Sequence, residues 1–474
     1  MSKLQQPANP IQKYVKNNEF VLYIAAVFLY TTMTGMVGNY RSAYLVNVLQ
    51  LSDDSVALYN GLTSVLGFVL SFFYATIIDN HKIGKDGKFR PLIKWSAVPC
   101  GVLLVLSFVT PKGLTGTWLM IYLVTIALLL GAATSFGNVI NTIAFVMSPD
   151  GKERDKVISF RSISSAIGNS APLVVVLVLG LIFKDNEHTQ YIAGASLCGA
   201  VGTVMMLFAS RGVKERITYS AEKKNPVAGY ADVLKNKYAR FIIISEFLKS
   251  FRGVSTYMGV FMAAALLGST SKFLFFGLPT GIGTAVGMLV INMLLKKFNS
   301  KQLYIASGIY SVIVNVAAFA VGYAYFNNPS FVLQIVFIAF LFLIGLQFGA
   351  SNLLPSLFQA DVLESIELET GKRLDAALPF VISIGTMVSG TIANTLAPKI
   401  LYGDHSIIHY IQPTDLVPNP EQTLETKITM LFFYTVVHGI MMFLAGVPFF
   451  FYKLTGKTKE EIHNAVLAQR ESMK

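Results

Sequence analysis

The sequence is short of charged residues. Asp, Glu, Lys and Arg make up only 14% of its 474 residues, whereas 53% are hydrophobic. Soluble domains carry about 25% charged residues, so a water-exposed surface would be difficult to build from this chain. The composition excludes an ordinary soluble protein and predicts that most of the chain lies in a lipid bilayer.

Motifs for metal binding and catalysis are also missing. The two cysteines, Cys100 and Cys198, lie in apolar runs without a Cys or His partner at zinc spacing, so we expect buried thiols. The chain has no HExxH or GxSxG motif, and Gly456-Lys457-Thr458 follows Phe451 where a nucleotide-binding loop needs its first glycine. We therefore expect neither an enzyme nor a nucleotide-driven pump, and no cofactor or metal.

The sequence has twelve long apolar runs instead. A helix needs about 20 mostly apolar residues to cross a bilayer. Charged or turn-rich segments separate the runs, which predicts an all-α polytopic membrane protein with twelve transmembrane helices, near 20–49, 56–79, 91–111, 117–148, 158–183, 190–210, 241–267, 273–295, 302–325, 330–360, 375–398 and 428–452.

The basic residues predict the orientation of these helices. With the N-terminus in the cytoplasm, 28 of the 38 Lys and Arg residues fall in inside segments, 5 in outside loops and 5 within spans. Positive residues concentrate on the cytoplasmic side of membrane proteins. We expect both termini to be cytoplasmic in a plasma (inner) membrane, and the net charge of +12 needs no nucleic acid to explain it.

The longest inside segment divides the chain into halves. The predicted order is a cytoplasmic tail over 1–18, a six-helix bundle over 19–210, a basic linker over 211–240, a second six-helix bundle over 241–452 and a cytoplasmic tail over 453–474. Within the linker, 227–239 is expected to form a short surface helix. This layout is typical of parallel-repeat transporters, and we expect a monomer surrounded by lipid.

Three inside loops have distinctive sequences. Span two is followed by Asp79-Asn-His-Lys-Ile-Gly-Lys-Asp-Gly-Lys-Phe-Arg-Pro91, in which Gly87 allows a tight turn and Pro91 can start a helix. Span four is followed by Ser-Pro-Asp-Gly-Lys-Glu-Arg154 and then Ser-Phe-Arg161. Span ten is followed by Asp361-Val-Leu-Glu364 and, further on, Thr-Gly-Lys-Arg373.

These loops resemble those of the glycoside–pentoside–hexuronide:cation symporters of the major facilitator superfamily. The resemblance covers essentially the whole chain, because all three loops follow the corresponding helices. It implies the major facilitator fold and transport of a small organic solute by alternating access, with a glycoside or hexuronide as substrate and a cation as driving ion.

The resemblance also implies charged gates at the cytoplasmic ends of the helices. Asp79 would pair with Arg154, and Asp361 or Glu364 with Arg373. The alternative is that these are solvated loop charges, which contribute about 0–1 kcal/mol each.

The sequence departs from that family where the coupling cation and the sugar are expected to bind. No Asp or Glu lies between Phe20 and Leu51, or between Val56 and Ile78. The acidic positions of helix two fall on Gly67 and Ser71, or on Phe68 and Phe72 if the loop gap moves. The acidic position of helix four falls on Asn138. We therefore do not expect Na⁺ coupling at the family's usual site.

Charges within the spans are mostly positive. Of the five basic residues within spans, Lys94 lies near a cytoplasmic end, and the other four, Arg41, Arg161, Lys249 and Arg252, compare with a single acid, Glu246. Ionisable residues in a bilayer are costly and are therefore candidates for function. This excess predicts an anionic substrate contacted by arginines and by neutral polar side chains, namely Arg161, Arg252, Arg41, Asn138, Asn141 and Gln347.

Three alternatives remain open at these positions. Arg41 could extend to the membrane surface, Lys249 and Arg252 could only brace the bundle, and Arg161 could be a gate residue. Glu246 and Lys249 are three residues apart on one helix, so they predict either a proton-coupling pair or a permanent salt bridge.

Two substrate classes and a different activity also remain open. The first class is a glycoside or hexuronide-like anion driven by a cation or a proton. The second is an amphipathic acid, such as a steroid- or lipid-like anion, moved without sodium or exported. A sensor built on a transporter fold is the alternative activity.

Overall fold

The computed structural model describes residues 14–81, 84, 87–149, 151–184, 186–216, 226–371, 377–414, 417 and 420–472. The α-helices of this part of the chain are α1 (Asn17–Ala43), α2 (Asp53–Asn80), α3 (Arg90–Leu106), α4 (Gly116–Gly137), α5 (Val139–Ile143), α6 (Gly151–Ile182), α7 (Glu187–Gly212), α8 (Pro226–Lys235), α9 (Lys237–Ser250), α10 (Gly253–Leu267), α11 (Leu274–Leu294), α12 (Ser300–Asn327), α13 (Phe331–Thr370), α14 (Ala377–Leu401), α15 (Leu424–Phe432), α16 (His438–Gly446) and α17 (Lys457–Ser472).

The twelve predicted spans each fall on one helix or on two consecutive helices. Among the described residues, eleven helical segments are long and apolar enough to cross a membrane. The third predicted span corresponds to α3, which has 17 residues and contains Pro99. The all-helical prediction is confirmed.

Several helices are longer than predicted. Helix α6 begins at Gly151 rather than near 158, and α13 continues to Thr370 rather than 360. Apolar residues mark the part of a helix that crosses the lipid, whereas backbone hydrogen bonding continues through the polar turns beyond it. The predicted surface helix is present as α8, and Asn236 separates it from α9 by accepting hydrogen bonds from the backbone N–H groups of Tyr238 and Ala239 at 3.0 Å.

The chain forms two compact units. Unit 1 contains 1–41, 66–183 and 188–222, and unit 2 contains 42–65, 184–187 and 223–474. Helices α1 and α2 therefore each begin in one unit and end in the other.

Unit 1 is held together by close helix contacts and by buried polar side chains. A Cβ atom at Gly168 of α6 would clash with the backbone of Phe28 on α1, which shows how closely the two helices approach. The Ser164 hydroxyl donates to the Ile24 carbonyl at 2.7 Å, and the Tyr23 hydroxyl donates to the Ile140 carbonyl at 3.0 Å. These bonds satisfy polar groups that water cannot reach in a membrane.

Unit 2 has its closest helix pair in α11 and α13. Gly283 and Gly287 of α11 meet Gly345 and Gly349 of α13, and a Cβ atom at any of the four would clash with the backbone of the opposite helix. Small residues four apart allow membrane helices to pack backbone to backbone. This packing fixes α13, which carries Gln347 and Phe348 between the two glycines.

Candidate functional site

A polar cavity of about 440 Å³ lies within unit 1. Helix α4 ends at Gly137 and α5 begins at Val139, so Asn138 lies at a break between the two helices. The lining consists of hydroxyl and amide side chains without a charged group: Tyr30, Thr31, Thr34, Thr134, Ser135, Asn138, Asn141, Ser165 and Asn169. Most of these hydroxyl groups already donate to backbone carbonyls, so they offer a ligand mainly acceptor oxygens, which suits the O–H donors of a hydroxylated ligand.

Two of the predicted substrate residues line this cavity and a third adjoins it. The Asn141 amide donates to Asn138 Oδ1 at 2.8 Å. Arg161 on α6 donates from Nη1 to the Asn141 carbonyl at 3.1 Å and from Nη2 to the Ser162 hydroxyl at 3.3 Å. Its guanidinium carbon lies 5.6 Å from the centre of the Phe145 ring. The structure therefore brings Arg161, Asn138 and Asn141 together.

The Arg161 guanidinium is incompletely satisfied. Its Nε is buried and has no hydrogen-bond partner. Within the described part of the chain, Arg161 forms no ion pair with a carboxylate. A guanidinium group in this condition can bind a carboxylate, sulfonate or phosphate through two parallel hydrogen bonds.

Arg41 does not join this cavity. It lies on α1 eleven residues after Tyr30, which places it about 16 Å further along the helix. Its side chain is buried, with 6% exposure, so it does not extend to solvent as one interpretation of the sequence suggested.

Unit 2 contains the other predicted charged residues. Lys249 Nζ lies 2.5 Å from Glu246 Oε2 and 2.6 Å from Oε1, and it also donates to the Ser351 carbonyl at 3.4 Å. Both side chains are largely buried. The pair predicted from their spacing is present on α9, with a third bond to α13.

Arg252 lies at the turn between α9 and α10. Its guanidinium carbon is 4.9 Å from the centre of the Phe348 ring, and it forms no ion pair with a described carboxylate. The neighbouring Gln347 is 2% exposed, and its Oε1 has no hydrogen-bond partner. The imidazole of His438 packs edge-on against Phe348 at 5.0 Å, and its buried Nε2 also has no partner.

The structure describes only some of the residues that were predicted to form the cytoplasmic gates. The side chains of Asp79 and Arg154, and Arg373 as a whole, lie outside the described residues. Asp361 forms an ion pair with Lys459 at 2.7 Å, and the Nδ1 atom of His463 lies at hydrogen-bond distance from Glu364 Oε2, at 3.1 Å. Both partners lie on α17, which sequence reasoning treated as a plain tail, although Lys459 and His463 have the i, i+4 spacing of one helix face.

The loop with Gly87 and Pro91 has a defined structural role. Glu215 accepts hydrogen bonds from the backbone N–H groups of Lys88, Phe89 and Arg90 at 2.8, 2.8 and 2.9 Å. Gly87 has φ +91°, as the predicted tight turn requires, and Pro91 is the second residue of α3. The carboxylate thereby caps the positive end of α3.

Further bonds tie the same face of unit 1 together. The Arg90 side chain donates to the carbonyls of Ser210 and Arg211 at the end of α7, at 2.8 and 2.9 Å. Arg216 pairs with Glu19 at 2.7 Å, and this hydrogen bond raises the pKa of the arginine. Glu153 accepts from the backbone of Val15 at 3.1 Å.

The hydroxyl residues of the cavity were not predicted from the sequence: Tyr30, Thr31, Thr34, Thr134, Ser135 and Ser165. The available signal was the cluster of Tyr30, Thr31 and Thr34 in the apolar middle of α1. Residues three and four apart share one face, so these three project together.

The helical fold and the polar cavity define a membrane transporter. The sequence model of the family described as "MFS/sugar transport protein" matches residues 22–456, and the chain belongs to that family. This confirms the resemblance to the glycoside–pentoside–hexuronide symporters and, with it, the secondary transport of a small solute.

Individual relatives agree with the family. The chain is 25% identical to the "Putative glycoside/cation symporter YagG" of Escherichia coli, over 90% of each chain. It is 22% identical to the "Putative 2,3-dihydroxypropane-1-sulfonate exporter" of Salmonella typhimurium, over 90% of this chain and 92% of the relative. Among solved structures, the nucleoside transporter NupG is similar in fold, with a TM-score of 0.59, 14% identity and coverage of 92% of this chain and all of that one.

Proposed function

We propose that this transporter carries a small hydroxylated anion, such as a sugar acid or a sulfonated polyol. The observation that carries the proposal is the neutral polar cavity of unit 1 beside Arg161, whose guanidinium has an unpartnered Nε and no described carboxylate. Hydroxyl and amide side chains suit the hydroxyl groups of the solute. The guanidinium suits its acidic group.

The relatives support both parts of this assignment. One relative is named as a glycoside/cation symporter, and another is named as an exporter of 2,3-dihydroxypropane-1-sulfonate, which is a small hydroxylated anion. Arg252 in unit 2 is a second guanidinium that forms no direct ion pair with a described carboxylate, although the charge of Glu246 acts on it, and Gln347 next to Phe348 offers an unpartnered amide oxygen. We propose that both residues contribute to solute binding within unit 2.

We infer that transport is coupled to protons rather than to Na⁺. Helix α2 has no acid between Val56 and Ile78 that could bind a sodium ion. Glu246 is the acid within the spans, and it is the proposed proton carrier if its pair with Lys249 opens during the cycle. Uptake that rises strongly with Na⁺ at fixed pH would contradict the first inference, and unchanged pH-driven accumulation in Glu246→Gln would contradict the second.

The proposed location is the plasma (inner) membrane, with both termini and the 211–240 linker in the cytoplasm. Labelling of single cysteines introduced at Asn186 and Ser220 tests this orientation in intact cells. Both native cysteines are buried, so the background should be low. An impermeant reagent should label position 186 and not 220; the reverse pattern would show that the orientation is wrong.

A thermal-shift screen tests the substrate class. Sugar acids, sulfonated polyols, neutral glycosides and steroidal acids are added separately to the purified protein. A ligand at 100 times its Kd stabilises the folded state by about 2.7 kcal/mol. Hydroxylated anions should raise the melting temperature most; stabilisation by steroidal acids alone would support transport of an amphipathic acid instead.

A further inference from the structure

The backbone of unit 1 departs from a regular α-helix over residues 138–147, which we call the irregular segment and which includes the short helix α5. Here the N–H of Phe145 donates to the Thr142 carbonyl at 3.1 Å, three residues earlier, rather than to the Asn141 carbonyl four residues earlier. The N–H of Asn141 likewise donates to the Asn138 carbonyl at 2.9 Å. Turns of this kind leave backbone carbonyls available to donors from elsewhere in the unit.

Three of these carbonyls bind donors that lie outside the irregular segment. The Tyr23 hydroxyl on α1 donates to the Ile140 carbonyl at 3.0 Å. Arg216 donates from its backbone N–H to the Val146 carbonyl at 2.7 Å and from Nη1 to the Met147 carbonyl at 3.0 Å. These bonds tie the irregular segment to α1 and to the chain that follows α7, so its backbone has a fixed position within unit 1.

The carbonyl of Asn141 anchors Arg161. Nη1 of the arginine donates to it at 3.1 Å, and Asn141 itself lines the cavity. The ring of Phe145, four residues further along, lies against the same guanidinium, with its centre 5.6 Å from Cζ. This ring is 45% exposed, so Phe145 is not a core residue of unit 1. The irregular segment therefore holds the guanidinium in two ways, through a hydrogen bond and through an aromatic ring.

These contacts leave one edge of the guanidinium for a ligand. Nη2 donates to the Ser162 hydroxyl at 3.3 Å, which is a long bond, and Nε has no hydrogen-bond partner. The N–H of Nε and one N–H of Nη2 are parallel, and such a pair can bind two oxygens of a carboxylate or a sulfonate. Because Nη1 is bound to the Asn141 carbonyl, the edge formed by Nε and Nη2 is the one that suits an acidic group.

We propose that Phe145 is a positioning residue for Arg161. Its ring and the Asn141 carbonyl together hold the guanidinium so that the edge formed by Nε and Nη2 is kept for the acidic group of the solute. An aromatic ring attracts a guanidinium without accepting a conventional hydrogen bond from it, so the ring orients the group and uses none of its donors. This inference rests on the proposed function, in which Arg161 binds that acidic group.

Arginine modification tests the contact without a ligand. Phenylglyoxal is added to the purified protein, and modification of Arg161 and Arg216 is followed by mass spectrometry of the peptides. Phe145→Leu keeps an apolar side chain but removes the aromatic ring, so Arg161 should react several-fold faster, whereas Phe145→Tyr should keep the wild-type rate. Arg216, which holds the same irregular segment, is the internal reference and should not change. Phe136→Leu on α4 is the matched control, because the ring of Phe136 packs against Tyr74.

Two results of this experiment would overturn the proposal. The first is an unchanged rate at Arg161 in Phe145→Leu. The second is an equal rise at Arg161 and Arg216, because Phe145 would then support the backbone of the irregular segment and not the orientation of one guanidinium.

Ligand preference provides a second test. Binding of 2,3-dihydroxypropane-1-sulfonate, the anion in the name of one relative, is compared by thermal shift with binding of glycerol, which has a hydroxyl in place of the sulfonate. The wild-type preference for the sulfonate should fall several-fold in Phe145→Leu and return in Phe145→Tyr.

The outcomes separate the two proposals. A preference that persists in Phe145→Leu but is lost in Arg161→Gln would overturn the positioning role and leave the proposed function intact. A preference that persists in Arg161→Gln would contradict the proposed function as well. If the wild type shows no preference for this sulfonate, the modification rates of Arg161 decide the role of Phe145.

Discussion

Glu215→Ala should strongly destabilise unit 1. The carboxylate accepts three backbone hydrogen bonds at 2.8–2.9 Å from the start of α3. A hydrogen bond to a charged group contributes about 1.5–3 kcal/mol when no water can replace it, and a charge at a helix N-terminus adds about 0.3–1 kcal/mol. Because water can reach part of this loop in the variant, we expect a loss of about 2–4 kcal/mol.

The two buried cysteines provide the assay. Cys100 lies on α3, the capped helix, and Cys198 lies on α7, against which α3 packs through Gly101 and Gly199. A thiol-reactive fluorophore will therefore report the opening of unit 1 during heating. For a unit of about 200 residues, 2–4 kcal/mol corresponds to a fall in melting temperature of about 5–15 °C on the scale of soluble proteins.

A matched substitution controls for the loss of a carboxylate. Glu421 is exposed and lies 3.7 Å from Lys427, so Glu421→Ala should cost less than about 1 kcal/mol. Glu215→Gln keeps one acceptor oxygen and should melt between Glu215→Ala and the wild type. If Glu215→Ala melts within about 2 °C of Glu421→Ala, the three hydrogen bonds do not stabilise α3 as argued here.

Two further predictions concern unit 2. Gly345→Leu should prevent the close packing of α11 and α13 and lower the yield of folded protein in size-exclusion chromatography. Gly131→Leu is the control and should not lower the yield, because no neighbouring atom lies within 4 Å of the added Cβ. Equal yields of the two variants would contradict the packing argument. Lys249→Met should destabilise the protein by about 1–3 kcal/mol, because Glu246 would lose its hydrogen-bonded partner while the charge of Arg252 still attracts it. The double variant with Glu246→Gln should recover most of that loss in thermal melting, and a double variant as unstable as the single one would contradict this explanation.

The helices were predictable because each one follows from residues that are consecutive in the sequence. About 20 apolar residues in succession leave few alternatives in a chain with so little charge, and each predicted span falls on helix. The ends were less predictable, because helices such as α6 and α13 continue through polar turns beyond the apolar run. Residue Asn236 shows how one side chain that caps a helix can divide a segment that reads as continuous.

The site was predictable only where charge or a rare polar residue stood out. Arg161, Asn138 and Asn141 could be picked out as candidates because each is conspicuous in an apolar span, and the structure places the three close together. The hydroxyl residues of the cavity are not conspicuous, since Ser and Thr also bond to the carbonyl four residues earlier within their own helix, as Thr31 does with Val27. The partners of Asp361 and Glu364 required the position of α17, which depends on contacts far apart in the sequence.

The central claim is that Arg161 binds the acidic group of the solute. The most direct test compares the affinity for the acid that gives the largest thermal shift with that for its neutral analogue, in which an alcohol replaces the acid. The wild type should prefer the acid, Arg161→Lys should weaken its binding by about 1–3 kcal/mol through loss of the two-pronged contact, and Arg161→Gln should abolish the preference. An unchanged preference for the acid in Arg161→Gln, together with lost counterflow, would contradict the claim and make Arg161 a gate residue.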